Sequence, residues 1–263
     1  MTTAAARLRA TERAPGEGGR LPVVALVHGS MSRSAVMAPV ASRLPDLHVM
    51  LYDRRGYHRS REAGVAAGLG QHVDDLLRLL EGRPAVAVGH SYGGLVALAA
   101  AAGAPEVVRS ALAYEPPLPW LAGWPEDSAG GLALRAAEEA GDPGAGAEAF
   151  MRQVLGDEGF ERLPAGVRAE RRLEGPALVA ELGELRSLGA PFTPESIEVP
   201  VILACGTETA PYRRPALASL ARSIPGARLE LVEGAGHDAP ITHPGPLADL
   251  VRRAVALAGG GPR

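Results

Sequence analysis

The chain has 263 residues, 46% of them hydrophobic, enough for one substantial core or one core plus an insertion and too few for two full α/β domains. A formal net charge of −3, with 22% charged residues, supplies no global field for nucleic acid or an anionic membrane. All 27 basic residues are arginine, so a Schiff-base or phosphate-loop lysine is excluded, and any nucleophile must be Ser, Thr, Cys, His, Tyr or a carboxylate.

The N-terminus holds no apolar run suited to a signal peptide, because Ala4–Ala6 are followed at once by Arg7 and Arg9. The segments Ala6–Glu12 and Leu21 onward, joined around Gly16–Gly19, suggest a hairpin leading into a sheet. Val23–Val27 is a continuous β-branched run of the kind buried on both faces of a parallel sheet, and it ends in His28-Gly29-Ser30. Ser32 and Ser34 are candidate caps for a helix carrying Val36, Met37, Val40 and Leu44. A strand over Leu47–Tyr52 follows, closed by Asp53-Arg54-Arg55-Gly56-Tyr57. Leu69, Val73, Leu76, Leu77 and Leu80 form a helical stripe with Gly82 as its stop. Ala85–Val88 is the next strand, Gly89–Gly94 a turn, and an Ala/Leu helix runs to Ala102. Ser110–Tyr114 is a strand ended by Glu115-Pro116-Pro117.

Between Leu118 and Val199 the pattern changes to helical patches, Leu132–Ala140, Ala147–Leu155, Val167–Leu173 and Leu178–Leu188. The strand–helix rhythm resumes with strand Val201–Ala204, helix Arg214–Ser223 and strand Arg228–Val232. Gly234-Ala235-Gly236-His237 leads to a last helix over Leu247–Leu257. This alternation implies a parallel sheet covered on both faces, interrupted by a helical insertion. No stretch approaches about 18 apolar residues without a charge or proline, so no transmembrane helix is expected. Cys205 is the single cysteine, which leaves no internal disulfide and no zinc framework of cysteine pairs. The expectation is a soluble cytoplasmic protein without metal or cofactor.

Three elements carry chemistry. Gly89-x-Ser91-x-Gly93 joins a strand to a helix, a sharp turn that exposes a serine oxygen near a helix N-terminus. Attack by Ser91 on a carbonyl creates an oxyanion, for which the backbone N–H groups of Tyr92 and of Ser30 in the earlier loop are candidate donors. His237, late in the chain, has the side chain suited to take the serine proton. His28 reads as a brace for its loop, His72 as a residue on the polar side of its helix, His48 and His58 as surface or packing residues, and His243, before a proline near the surface, as a weaker alternative base. Arg54 and Arg55 read as loop-holding partners of carboxylates, Arg171-Arg172 as a solvated helix face and Cys205 as a core residue. Trp120 and Trp124 could line a pocket or pack the insertion on the core.

The segments LVHGS, LYDRRGYHRS, VAVGHSYGG and VEGAGH, in that order, resemble the α/β-hydrolase superfamily over nearly the whole chain. The resemblance implies a mostly parallel, eight-stranded sheet flanked by helices, with a helical lid inserted after strand six. The core would comprise residues 1–117 and 200–263 and the lid residues 118–199. It implies nucleophile Ser91, base His237 and oxyanion donors Ser30 and Tyr92. The acid departs from the common Gly-x-x-Asp pattern, because Gly206-Thr207-Glu208-Thr209 places a threonine where relatives carry aspartate. Glu208, one residue out of register, and Glu115, at a strand end where some family members hold their acid, are the substitutes. Pro116 and Pro117 restrict the backbone after Glu115, and the reading favours Glu115. Asp238, adjacent to His237, is a poor orienter.

The expected function is a serine hydrolase acting on a carboxylic ester, lactone or thioester of a small molecule with an apolar acyl or alkyl group. The alternatives are carbon–carbon hydrolysis, cofactor-free peroxidation or lyase chemistry on the same fold, or a non-catalytic small-molecule-binding protein.

Overall fold

A computed structural model describes residues 8–15 and 22–259. β1 (Ala10–Arg13) and β2 (Val23–Val27) precede a short 3-10 turn and α1 (Ala38–Ser42); β3 (Val49–Tyr52) and α2 (Leu69–Leu80) follow. β4 (Ala85–His90), α3 (Tyr92–Gly103) and β5 (Val108–Tyr114) complete the first half. Four helices come next: α4 (Ala129–Ala140), α5 (Pro143–Glu161), α6 (Ala165–Leu173) and α7 (Gly175–Leu188). The chain returns to the sheet with β6 (Val201–Gly206), α8 (Arg213–Ser223) and β7 (Arg228–Val232), and ends in α9 (Ala239–Thr242) and α10 (Pro244–Gly259).

The strands form one sheet in the order β1-β3-β2-β4-β5-β6-β7. All neighbours are parallel except β1 and β3. Every residue of β2, β4 and β6 is buried, which is why these strands read as unbroken apolar runs. Alternate residues supply two cores. Val23, Ala25 and Val27 face a cluster built with α2, α3 and α8. Val24 and Leu26 face one built with α1 and α10. Helix α3 lies against the sheet with nine buried residues, so it is apolar all round rather than amphipathic.

Four expectations are corrected. The described residues form seven strands, not eight. The helical insertion therefore follows the fifth strand in chain order, not the sixth. No hairpin joins β1 to β2, because both edges of β2 are taken by β3 and β4; β1 pairs instead with β3 at the sheet edge. The expected link at Gly16–Gly19 lies outside the described residues. Ser32 and Ser34 cap nothing: Arg33 occupies the cap position of the 3-10 turn without a side-chain bond, and the Ser34 N–H donates to Asp53 Oδ1 at 2.8 Å. Among the described residues no helix is long and apolar enough to cross a membrane, and no group of three His, Cys, Asp or Glu side chains is placed to hold a metal.

The turn after β4 is packed backbone against backbone. A Cβ on Gly89 would lie 1.9 Å from the Gly93 carbonyl oxygen, and one on Gly93 would lie 2.2 Å from that of Val27. Backbone cannot yield to such overlaps as a flexible side chain can. Gly89→Ala and Gly93→Ala should each cost at least about 2 kcal/mol in chemical denaturation. Gly103→Ala, at the open end of α3 where no atom lies within 4 Å, should be neutral or stabilising by up to about 1 kcal/mol.

Candidate functional site

The C-terminal ends of the parallel strands bring the singled-out residues to one edge of the sheet, the place where open α/β sheets bind ligands. His90 pairs in register with Tyr114, Tyr114 with Ala204, and Gly206 with Val232. The loops after β4, β5 and β7 then contribute the side chains of Ser91, Glu115 and His237, and the end of β6 a backbone N–H.

Ser91 sits between β4 and α3 at φ 54°, ψ −126°, a conformation costly for a residue with a Cβ. Its N–H donates to the Tyr114 carbonyl at 2.9 Å, and its own carbonyl accepts from Gly94 N–H at 2.7 Å. Tyr92 opens α3, where a backbone N–H has no acceptor within the helix. The loop after β2 passes directly over the turn: a Cβ on Gly29 would meet Ser91 Cβ at 2.8 Å. Ser30, next in that loop, is half-buried.

His237 lies in the loop between β7 and α9. Its Nδ1 donates to Glu115 Oε2 at 2.7 Å. Tyr114 Oη donates to the Gly236 carbonyl at 2.7 Å, and His90 Nε2 donates to the His237 carbonyl at 2.8 Å. The His90 and His237 rings lie 4.6 Å apart. Burial holds the His90 imidazole down at about 3, so it stays neutral. Burial, then the Arg213 charge, also lowers His237, with Glu115 opposing both.

Glu115 is fully buried and takes φ 47° just past β5. Its Oε1 accepts from Gly206 N–H at 3.0 Å, its Oε2 from His237, and Arg213 Nε stands 3.6 Å from that same Oε2. Burial alone would raise this carboxyl; the His237, Gly206 and Arg213 contacts outweigh it and leave the group below its ordinary value. Glu208 is exposed, and only its backbone engages the His237 loop, with N–H donating to Ala235 at 2.9 Å. Asp238 is also exposed, and His243 contacts Thr242 rather than the cluster.

Beside Ser30 lies a polar cluster that crosses between the inserted helices and the sheet. Ser30 Oγ donates to Glu181 Oε2 on α7 at 2.5 Å, and Tyr57 Oη donates to the same oxygen at 2.8 Å. Arg54 Nη1 reaches Glu181 Oε1 at 2.5 Å, and His72 Nε2 stands 3.1 Å from it. The Arg54 guanidinium also lies 4.9 Å from the centre of the Tyr57 ring and 4.8 Å from that of Tyr92. Burial would raise Glu181, but the Arg54 charge and the His72 and Arg54 bonds hold it near 2. The α7 segment is fixed at two more points, one just before the helix and one on it. Glu174 accepts from His58 N–H at 2.8 Å and Glu184 from Leu69 N–H at 2.7 Å.

Several residue readings are settled by these contacts. His28 does brace its loop, with Nδ1 donating to the Gly29 carbonyl at 2.8 Å and Nε2 accepting from Arg54 N–H at 2.8 Å. Arg54 pairs with Glu181 and Arg55 with Asp75, and Cys205 is buried in the core. His72 is not on a solvated face but buried against Glu181, and Arg171 is buried beside Glu174, while Arg172 stays half-exposed. Trp120 and Trp124 both pack on the core, Trp124 edge-on to Tyr212 at 4.8 Å. Arg213, His90 and Glu181 were not singled out from the sequence, since each gains meaning only from a partner far away in the chain.

With the geometry in hand, the chain can be set beside known proteins. A model of the alpha/beta hydrolase family matches residues 24–250. The chain belongs to this family. It is similar to 2-(acetamidomethylene)succinate hydrolase of Mesorhizobium japonicum, 28% identical over 84% of this chain and 83% of that one. Among solved structures it is similar to an enol-lactonase from Burkholderia xenovorans, with a TM-score of 0.73, 23% identity, and coverage of 95% of this chain and 96% of the other. It is also similar to a thermophilic esterase from Thermogutta terrifontis, with a TM-score of 0.72, 21% identity, and coverage of 96% and 94%.

The Glu181 cluster predicts a stability effect. Glu181→Ala leaves the Arg54 guanidinium buried without its counter-charge and should cost about 3–5 kcal/mol in urea denaturation. Arg54→Met combined with Glu181→Leu removes both charges and should recover most of that loss. Because the folded carboxyl lies near 2, below its unfolded value of about 4.3, its contribution is fully present above that value. It is lost as pH falls from there toward about 2.

Proposed function

We propose that this alpha/beta hydrolase is a serine hydrolase that cleaves a carboxylic ester, lactone or thioester of a small molecule through an acyl-enzyme on Ser91. The observation that carries the reading is the 2.7 Å contact from His237 Nδ1 to the buried Glu115 carboxylate, at the strand edge where Ser91 is held at φ 54°. A histidine that donates through Nδ1 presents Nε2 as an acceptor, the tautomer a general base needs.

In this reading Ser91 Oγ attacks the carbonyl carbon while His237 Nε2 takes its proton. Glu115 stabilises the imidazolium that forms, as a buried carboxylate can and the threonine at 209 cannot. The negative charge on the carbonyl oxygen is met by the backbone N–H groups of Ser30 and Tyr92. His237 returns its proton to the leaving alcohol or thiol. It then draws a proton from the water that attacks the acyl carbon, which frees the acid product and restores Ser91.

The helices between residues 118 and 199 act as a lid that shields this exchange from bulk water. The alanine- and leucine-rich composition of these helices favours an apolar acyl or alkyl group. Relatives named as a succinate-derivative hydrolase, an enol-lactonase and an esterase support acyl transfer as the class of chemistry.

A fluorophosphonate probe should label the wild-type protein at Ser91 and spare Ser91→Ala; absence of any label would remove Ser91 as nucleophile. With a p-nitrophenyl ester, Glu115→Gln should lower kcat by about 10²–10⁴-fold, the range expected when the acid partner of a base is neutralised. Glu208→Gln should leave turnover unchanged.

A further inference from the structure

In the described contacts the carboxylate of Glu115 serves a permanent cation as well as a titratable base. His237 Nδ1 and Arg213 Nε approach the same oxygen, Oε2, at 2.7 Å and 3.6 Å. Arg213 Nη1 also donates to the Glu115 carbonyl at 3.4 Å, so the guanidinium grips both the side chain and the backbone of this residue. The grip is itself supported. The guanidinium carbon lies 5.5 Å from the Trp124 ring and 5.6 Å from the Tyr212 ring, and the two rings meet edge-on at 4.8 Å. The Arg213 side chain is 15% exposed, and Glu115 is not exposed at all. Between such groups a charge is only weakly screened.

We propose that Arg213 is a positioning residue for the base: held by Trp124 and Tyr212, it fixes the Glu115 carboxylate and takes a share of its charge, so that His237 remains a neutral proton acceptor into more acidic solution. A carboxylate that faces the imidazole alone would stabilise the imidazolium strongly and make the histidine a poor base on the acid side of neutrality. A permanent cation on the same oxygen offsets that pull. Glutamate makes the support necessary, since it has one more rotatable bond than aspartate, and the Gly206 N–H holds only its other oxygen.

The groups facing His237 are few enough to assign the effect. Glu115 faces it from the end of β5, Arg213 from α8, His90 from the end of β4 and Asp238 from its own loop. His90 is buried and neutral, Asp238 is exposed, and both are unchanged by substitution at 213.

The proposal rests on His237 as the base, and the test separates the two. Ring-labelled histidine gives the His237 titration by NMR without any need for turnover, the signal being assigned by its loss in His237→Ala. In Arg213→Gln the midpoint should rise by about 0.5 pH unit or more. In Arg213→Lys, which retains the charge, it should stay near wild type. On the acid side of the kcat/KM profile, Arg213→Gln should lose about threefold relative to wild type, the same shift expressed as a rate. Activity above the His237 midpoint should be affected less. An unmoved midpoint in folded Arg213→Gln would overturn the proposal. Should that variant not fold, Arg213→Met, which retains the apolar stem under Trp124, carries the same expectation. Failure of both to fold would assign Arg213 to stability alone and also overturn it. Absence of Ser91-dependent turnover would instead strike at the hydrolase reading and leave the titration result standing.

Discussion

The Val27 carbonyl oxygen occupies the space that a side chain on Gly93 would need, and the Gly93 carbonyl occupies that of Gly89. These contacts bring the ends of β2 and β4 and the start of α3 as close as backbone can come. They follow from β2 and β4 being adjacent parallel strands with small residues at their exits. Within this close-packed turn Ser91 takes φ 54°. The same confinement lays Gly29 against Ser91 and brings Ser30 alongside. A polar edge thus arises from a packing constraint in an apolar sheet.

Two buried carboxylates then organise the charges at that edge in different ways. Glu115 sits between a titratable partner and a permanent one, and faces a histidine whose side chain is 33% exposed. Its environment can respond to a proton. Glu181 is surrounded by Arg54, His72, Tyr57 and Ser30, with its side chain 3% exposed, and these partners hold its carboxyl well below its ordinary value. Its role is cohesion. A pair this deeply buried contributes little net stability compared with an apolar substitute, but its separation is costly, so it fixes which surfaces meet.

How much of this was legible in the sequence depended on distance along the chain. Strands buried on both faces announce themselves as apolar runs, so β2, β4, β5 and β6 were readable; β7, mostly exposed, showed only as alternating leucines before a buried valine, and helical periodicity located α4 to α7. β1 was misplaced because all four of its residues are exposed and carry no alternating pattern to set its register. Glu115 could be singled out because it closes a strand and precedes two prolines. His72 and Arg171 were misread because a polar residue on a helix is ordinarily solvated, and only a carboxylate from another helix or turn brings it inside. Glu181 is 127 residues from Arg54, and Arg213 is 98 from Glu115. No local pattern encodes such pairings.

The Arg54–Glu181 contact has a bearing on how such a protein can diversify. One partner belongs to the loop after β3 and the other to the fourth inserted helix, so neither is neutral without the other. Recombination that exchanged the helices alone for those of a distant relative would strand a guanidinium in the interior. Exchange of these helices is therefore tolerated only where Arg54 is exchanged with them, or where the new helices bring a carboxylate to the same place.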